Sequence, residues 1–88
     1  MRLARVTGTV TATVKQPAFT GSKLMLIDVV DSAGDVKTAS LVAVDTVGAG
    51  RGDLVLIAQG SAARMAGQTS TSPVDAAIVA VVDRVDRD

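Results

Sequence analysis

The residues whose types and spacing could do chemistry lie between Asp45 and Arg64. Gly48-Ala49-Gly50-Arg51-Gly52 places three glycines at alternate positions, between Asp45 and Asp53. Glycine-rich backbone can cradle a phosphate when a helix N-terminus stands behind it, and the dinucleotide fingerprint is G-x-G-x-x-G. Here the spacing is G-x-G-x-G, and Leu54 to Ala58 reads as a strand rather than a helix. The stretch is therefore read as a close-packed structural loop, with Gly48, Gly50 and Gly52 making its backbone permissive. Carboxylate chemistry is the second option. All nine acidic side chains are Asp; paired Asp can bind Mg²⁺, but no spacing sets two of them on one convergent face. With no His and no Cys, thiol catalysis, zinc held by nitrogen or sulfur, and every Ser-His-Asp arrangement are excluded. The expectation is no catalytic residue, no metal and no cofactor.

Composition points to assembly instead. A chain of 88 residues is one domain, 1–88. A domain this small buries only about 60% of what its unfolded chain exposes. Apolar residues make up 48% of it, but Val and Ala dominate, and Phe19 is the one aromatic residue. There is no disulfide to staple the fold, and small domains without staples commonly gain burial by oligomerising. Nine basic side chains balance nine acidic ones, whereas nucleic-acid binders are usually basic and readers of single strands use aromatic platforms. An OB-type nucleic-acid-binding module is the alternative reading, and this composition disfavours it. No apolar run approaches the roughly 20 residues of a membrane span, and the N-terminus lacks the apolar core of a signal peptide. The cytosol is the default compartment.

The elements that position these residues follow from periodicity. Ala4 to Val14 alternates with a period of two, which reads as a long strand, and Gly8 inside it marks a bulge or bend. Lys15 to Ser22 is a loop around Pro17, with Phe19 covering one end of the core or packing across a subunit contact. Lys23 to Asp31 is a second strand. Leu24-Met25-Leu26-Ile27 is apolar on both faces, so both sides should be covered. A tight turn at Asp31–Asp35 returns the chain as a third strand, Val36 to Asp45, completing a hairpin. Leu54 to Ala58 is the fourth strand. Gly60 to Ala66 makes one or two helical turns, with Ser61 as N-cap and Gly67 as C-cap. Val74 to Asp86 is the fifth strand. The sum is an all-β fold: a small five-stranded OB-like antiparallel barrel with one short helix before the last strand.

Among the charges, Arg64 is read as a contact at a subunit interface, where its fork can grip a carboxylate or carbonyl; Asp45 and Asp75 are its candidate partners. Asp75 either satisfies loop N–H groups or pairs with an Arg of a neighbouring subunit. Lys15, Lys23 and Arg51 read as surface charges. If Gly50 holds positive φ or lies in close backbone approach, replacing it with Val should cost at least about 1–3 kcal/mol.

Three blocks in fixed order resemble the pentameric vertex proteins of bacterial microcompartment shells, the EutN/CcmL family. They are Val6-Thr7-Gly8-Thr9-Val10 through Lys15, Pro17, Gly21, Lys23 and Leu24; Asp45-Thr46-Val47-Gly48-Ala49-Gly50-Arg51-Gly52-Asp53 with Val55-Leu56 and Gly60-Ser61-Ala62-Ala63-Arg64; and Pro73-Val74-Asp75-Ala76 with Ile78 to Asp83. Asp53 stands where the family more often has Glu, and Ala62 where a second Ser is frequent. The resemblance implies a structural, non-enzymatic pentamer that caps the corners of a polyhedral shell built with hexameric and trimeric shell proteins. It makes Gly48, Gly50, Gly52, Ser61, Arg64 and Asp75 candidates for subunit contact or ring packing. Five-fold closure comes from the resemblance alone.

Overall fold

The computed structural model describes residues 1–12, 23–65 (the last two by backbone only) and 75–86. Strands β1 (Arg2–Val10), β2 (Lys23–Val30), β3 (Val36–Asp45), β4 (Leu54–Gln59) and β5 (Ala76–Val81) close into a barrel in the order β1-β2-β3-β5-β4, and a 3₁₀ helix (Gly60–Met65) precedes β5. The expected five-stranded barrel is the observed one. Its closure has a feature that alternation does not encode. Four pairings are antiparallel, but β3 meets β5 in parallel, through Val44 opposite Ala77 and Asp45 opposite Ile78.

Alternating residues fill the barrel. Ala4 and Val6 of β1, Met25, Ile27 and Val29 of β2, Ala43 of β3, Val55 and Ile57 of β4, and Ala76 and Ile78 of β5 form one buried cluster, joined by Ala49 from the glycine loop. Burying a side chain the size of Ile or Met stabilises by about 1.5–3 kcal/mol. Few residues here are that large, so the core is as thin as the composition implies. A second cluster of Val44, Ala63 and Ala77, with Leu24 and Val79 against it, lies under the 3₁₀ helix.

Gly8 marks the expected irregularity. Val6 faces Ile27 and Gly8 faces Leu26, leaving Thr7 as the extra residue. The Thr7 hydroxyl donates to the Leu26 carbonyl at 3.2 Å. A bulge of this kind bends the strand and lets one long β1 pair with β4 near its start and with β2 throughout.

The β2–β3 hairpin forms as the turn residues require. Asp31 Oδ1 accepts the Ala33 and Asp35 N–H groups at 2.9 and 3.0 Å, and its Oδ2 lies 3.5 Å from Lys37 Nζ. The Asp35 N–H above all, with the Ala33 N–H and Lys37, holds this carboxyl below its ordinary value against the opposing effect of desolvation. Farther down the arm Ser40 adopts φ 61°. Left-handed backbone costs a non-glycine residue roughly 1–2 kcal/mol, and Asp28 Oδ1, accepting the Ser40 N–H at 2.9 Å, holds it there.

Two strands are shorter than their alternation. β1 ends at Val10, short of Val14, and its last expected residues lie outside the described ones. β5 stops at Val81 because its partner runs out. The Val82 N–H donates to the Leu54 carbonyl at 2.8 Å, Leu54 is the first residue of β4, and Asp83 to Asp86 are exposed. The helix is 3₁₀ rather than α and begins at Gly60, so Ser61 sits inside its first turn instead of capping it. Six residues are too few to offset α-helix nucleation. The expected positions of Phe19, Pro73, Val74 and the Gly67 cap lie outside the described residues.

Candidate subunit interface

The loop from Asp45 to Asp53 is built by its own carboxylates. Asp45 is buried at the end of β3, its side chain 1% exposed. Its Oδ1 accepts the N–H groups of Val47 at 3.0 Å and Gly48 at 3.1 Å, which is an Asx turn. At the far end, Asp53 Oδ2 accepts the Gly50 N–H at 2.7 Å. Two cations then clamp the loop from strands distant in sequence. Lys23 Nζ donates to the Ala49 carbonyl at 2.8 Å and stands 3.6 Å from Asp45 Oδ2, while Arg5 Nη1 donates to the Gly52 carbonyl at 3.0 Å. The Gly52 N–H donates to the Val6 carbonyl at 2.8 Å and the Val6 N–H to the Asp53 carbonyl at 2.9 Å, so the loop ends as an extension of the β4–β1 ladder.

This geometry separates the three glycines. Gly48 and Gly52 have φ of 81° and 90°, a region closed to most side chains, whereas Gly50 does not. Among the described residues, a Cβ on Gly50 would meet only Asp53 Oδ2 at 3.8 Å, an ordinary contact. Within the described chain Gly50 meets neither condition, and the positive φ belongs to its neighbours. Gly48→Ala and Gly52→Ala should each cost about 1–2 kcal/mol, and Gly50→Ala no more than about 0.5 kcal/mol. Urea melts of the three variants check this; a Gly50 variant as damaged as the other two would contradict it.

The 3₁₀ helix and the entry to β5 share one end of the barrel. The Gly60 N–H donates to the Asp75 carbonyl at 2.8 Å, and Thr46 Oγ1 donates to the Ile78 carbonyl at 2.7 Å. Ser61 and Asp75 are thereby neighbours, both exposed, and Ala63 is buried between helix and sheet. Asp75 engages Gly60 through its backbone, and its carboxylate has no ion pair with a described residue. The Arg64 side chain lies outside the described residues. Among the described residues no three carboxylates gather as a metal site.

Three residues gain a role that their sequence positions did not suggest. Lys23 read as a surface charge and Arg5 was given no role, yet each holds a loop carbonyl. Asp45 read as a partner for Arg64, and it organises the loop's first turn. The signal for Asp45 was present, since Asp followed three residues later by Gly is an Asx-turn pattern. None was present for Lys23 and Arg5, whose acceptors are 26 and 47 residues away.

Two apolar residues of adjacent strands meet on the outer side of the barrel. Leu26 faces Val42 across β2 and β3; Leu26 is half-buried and Val42 is 46% exposed. The two-sided apolar pattern of β2 is thus covered within the chain on the barrel side, and only in part outside.

The family model for ethanolamine utilisation protein EutN/carboxysome matches residues 1–83. The chain belongs to the EutN/CcmL family. Among its relatives in that family, the carboxysome shell vertex protein CcmL of Thermosynechococcus vestitus is 44% identical over 88 residues, spanning all of this chain and 89% of the relative. The microcompartment shell vertex protein EutN of Escherichia coli is 40% identical over 85 residues, spanning 97% of this chain and 90% of the relative. The solved structure of the GrpN pentameric microcompartment shell protein from Rhodospirillum rubrum superposes with a TM-score of 0.90 at 39% identity, covering all of both chains.

Proposed function

We infer that this member of the EutN/CcmL family is a structural vertex protein of a bacterial microcompartment shell, assembled as a closed ring of five copies. The observation that carries the reading is full-length similarity to shell vertex proteins on the same barrel. The chain caps corners of a polyhedral shell, where hexagonal tiles alone would continue as a flat sheet. Hexameric and trimeric shell proteins are its partners at the rim. The reading is non-enzymatic, in keeping with a chain that has no His, Cys or Glu. A ring of identical subunits needs two different surfaces on each copy. Gly48, Gly50, Gly52, Ser61, Arg64 and Asp75 are the candidates for them, Arg64 by gripping a carboxylate or carbonyl of the next copy.

Native mass spectrometry tests the ring directly. The expected species at micromolar concentration is a pentamer. A stable folded monomer would sink the reading, and submicromolar binding to single-stranded oligonucleotides at physiological salt would favour the nucleic-acid module instead.

A further inference from the structure

The β2–β3 hairpin is anchored through one of its two strands. β2 lies against β1, with Val29 opposite Ala4 and Val30 opposite Leu3, and both valines are buried. The far side of β3 is paired only at Val44 and Asp45. Among the described residues, Val36 to Ser40 therefore pair with β2 alone, and residues 32–40 are all exposed. The turn that joins the strands is closed by its own groups. The Asp31 N–H donates to the Asp35 carbonyl at 2.9 Å, the Gly34 N–H donates to the Asp31 carbonyl at 3.0 Å, and Lys37 Nζ stands beside the Asp31 carboxylate. These contacts all lie between residues 31 and 37.

The pairing of this outer segment with β2 is irregular as well. Ile27 faces Leu41, Val29 faces Thr38 and Val30 faces Val36. Ala39 and Ser40 thus stand together opposite Asp28, and Lys37 is left over between Thr38 and Val36. Each extra residue disrupts the ladder locally. Ser40 sits at the first break with φ 61°, a conformation unfavourable to a residue with a Cβ. Strain of this kind persists only where the surroundings hold it. Here the Asp28 carboxylate does so, its Oδ1 accepting the Ser40 N–H at 2.9 Å.

We infer that residues 31–40 form a flap that opens away from β2 while the barrel stays folded, with the Asp28 carboxylate as its latch. Opening lets Ser40 relax into ordinary backbone, so the closed flap carries strain that the latch offsets. Segments with few buried contacts and exposed backbone hydrogen bonds open at a lower free energy than the core. The buried side chains of this hairpin's distal half, Val29 and Val30, belong to the strand that stays behind. Closed, the flap covers the β2 edge from Asp28 to Val30; open, it presents the backbone groups of that edge to solvent. The surface can thus change shape here without disturbing the core. Flap and latch belong to a single copy, and neither depends on the ring reading.

Lys37 is the one Lys or Arg between Lys23 and Arg51, so limited trypsin cleavage after it reports opening of the flap. Where opening and reclosing are fast, the cleavage rate follows the population of the open form. Asp28→Ala should speed cleavage after Lys37 about tenfold, the equilibrium factor of one hydrogen bond to a charged acceptor. Hydrogen exchange of peptides from β4 and β5 should stay at the wild-type rate. Adding Ser40→Gly, which removes the strain, should recover about two- to fivefold of the lost protection. Ser40→Gly alone should slow the wild-type cleavage by the same factor, and it tests the strain even if Asp28→Ala does not fold. Cleavage no faster in a folded Asp28→Ala variant would overturn the latch, and cleavage no slower in Ser40→Gly would overturn the strain behind it. Exchange that rises equally in the flap, β4 and β5 would show that the hairpin opens only with the whole barrel, and would overturn the flap itself.

Discussion

Co-expressed with hexameric and trimeric shell proteins, the chain should occupy the corners of closed particles, and particles made without it should leak. Omission is expected to leave the tiles assembling, because hexagons fill a plane without help, while the corners stay uncapped. Electron microscopy of a labelled copy reads the first outcome, and loss of an encapsulated dye reads the second. The effect is all-or-none at each vertex, since a five-fold gap has no substitute among six-fold tiles. Label spread evenly over the facets, or no incorporation with any shell partner, would contradict the vertex role whatever the behaviour of single residues.

Asp45→Ala should damage the fold as a core truncation does. The carboxylate is buried, accepts two backbone N–H groups and stands beside Lys23. Its removal strips the part-buried Val47 and Gly48 donors of their acceptor, at roughly 1 kcal/mol for each hydrogen bond lost, and leaves Lys23 without its buried counter-charge. It also frees the start of a loop whose Ala49 belongs to the core. A domain of this length holds only about 4–13 kcal/mol in total, and each kcal/mol is worth roughly 4–8 °C in its melting temperature. Thermal melts should therefore show a drop of about 10–25 °C. Asp45→Asn keeps an oxygen for the two N–H groups and loses the charge that faces half-exposed Lys23, so its drop should be less than half as large. Equal damage from both variants would mean that the charge, not the Asx turn, organises the loop.

That contrast marks where reading the residues in order stops being enough. The strands, the Asp31 turn, the Gly8 bulge and the short helix before β5 were all legible, because each depends on neighbours within a few residues. A period of two chooses the buried face, Asp and Gly choose the turn, and an isolated Gly permits the bend. The exclusion of thiol, imidazole and zinc chemistry needed only the residue types. The family was legible too, from blocks in fixed order along nearly the whole chain.

The tertiary structure decided what depends on residues far apart in the chain. The parallel meeting of β3 and β5 follows from how the barrel closes, and no local pattern in either strand records it. Closure in turn set the length of β5, whose valines continue past the point where β4 can pair with them. It placed Lys23 beside Ala49 and Asp45, and Arg5 beside Gly52, making clamps on one loop of a lysine that read as a surface charge and an arginine with no assigned role. It assigned positive φ to Gly48 and Gly52 and not to Gly50, although the three look alike in sequence. It also left Ser40 in left-handed backbone, held by Asp28 across the hairpin. Side-chain alternation and turn chemistry are local energies, written residue by residue. Strand register, closure and cross-chain hydrogen bonds are settled only when distant segments compete for the same edge and the same donors.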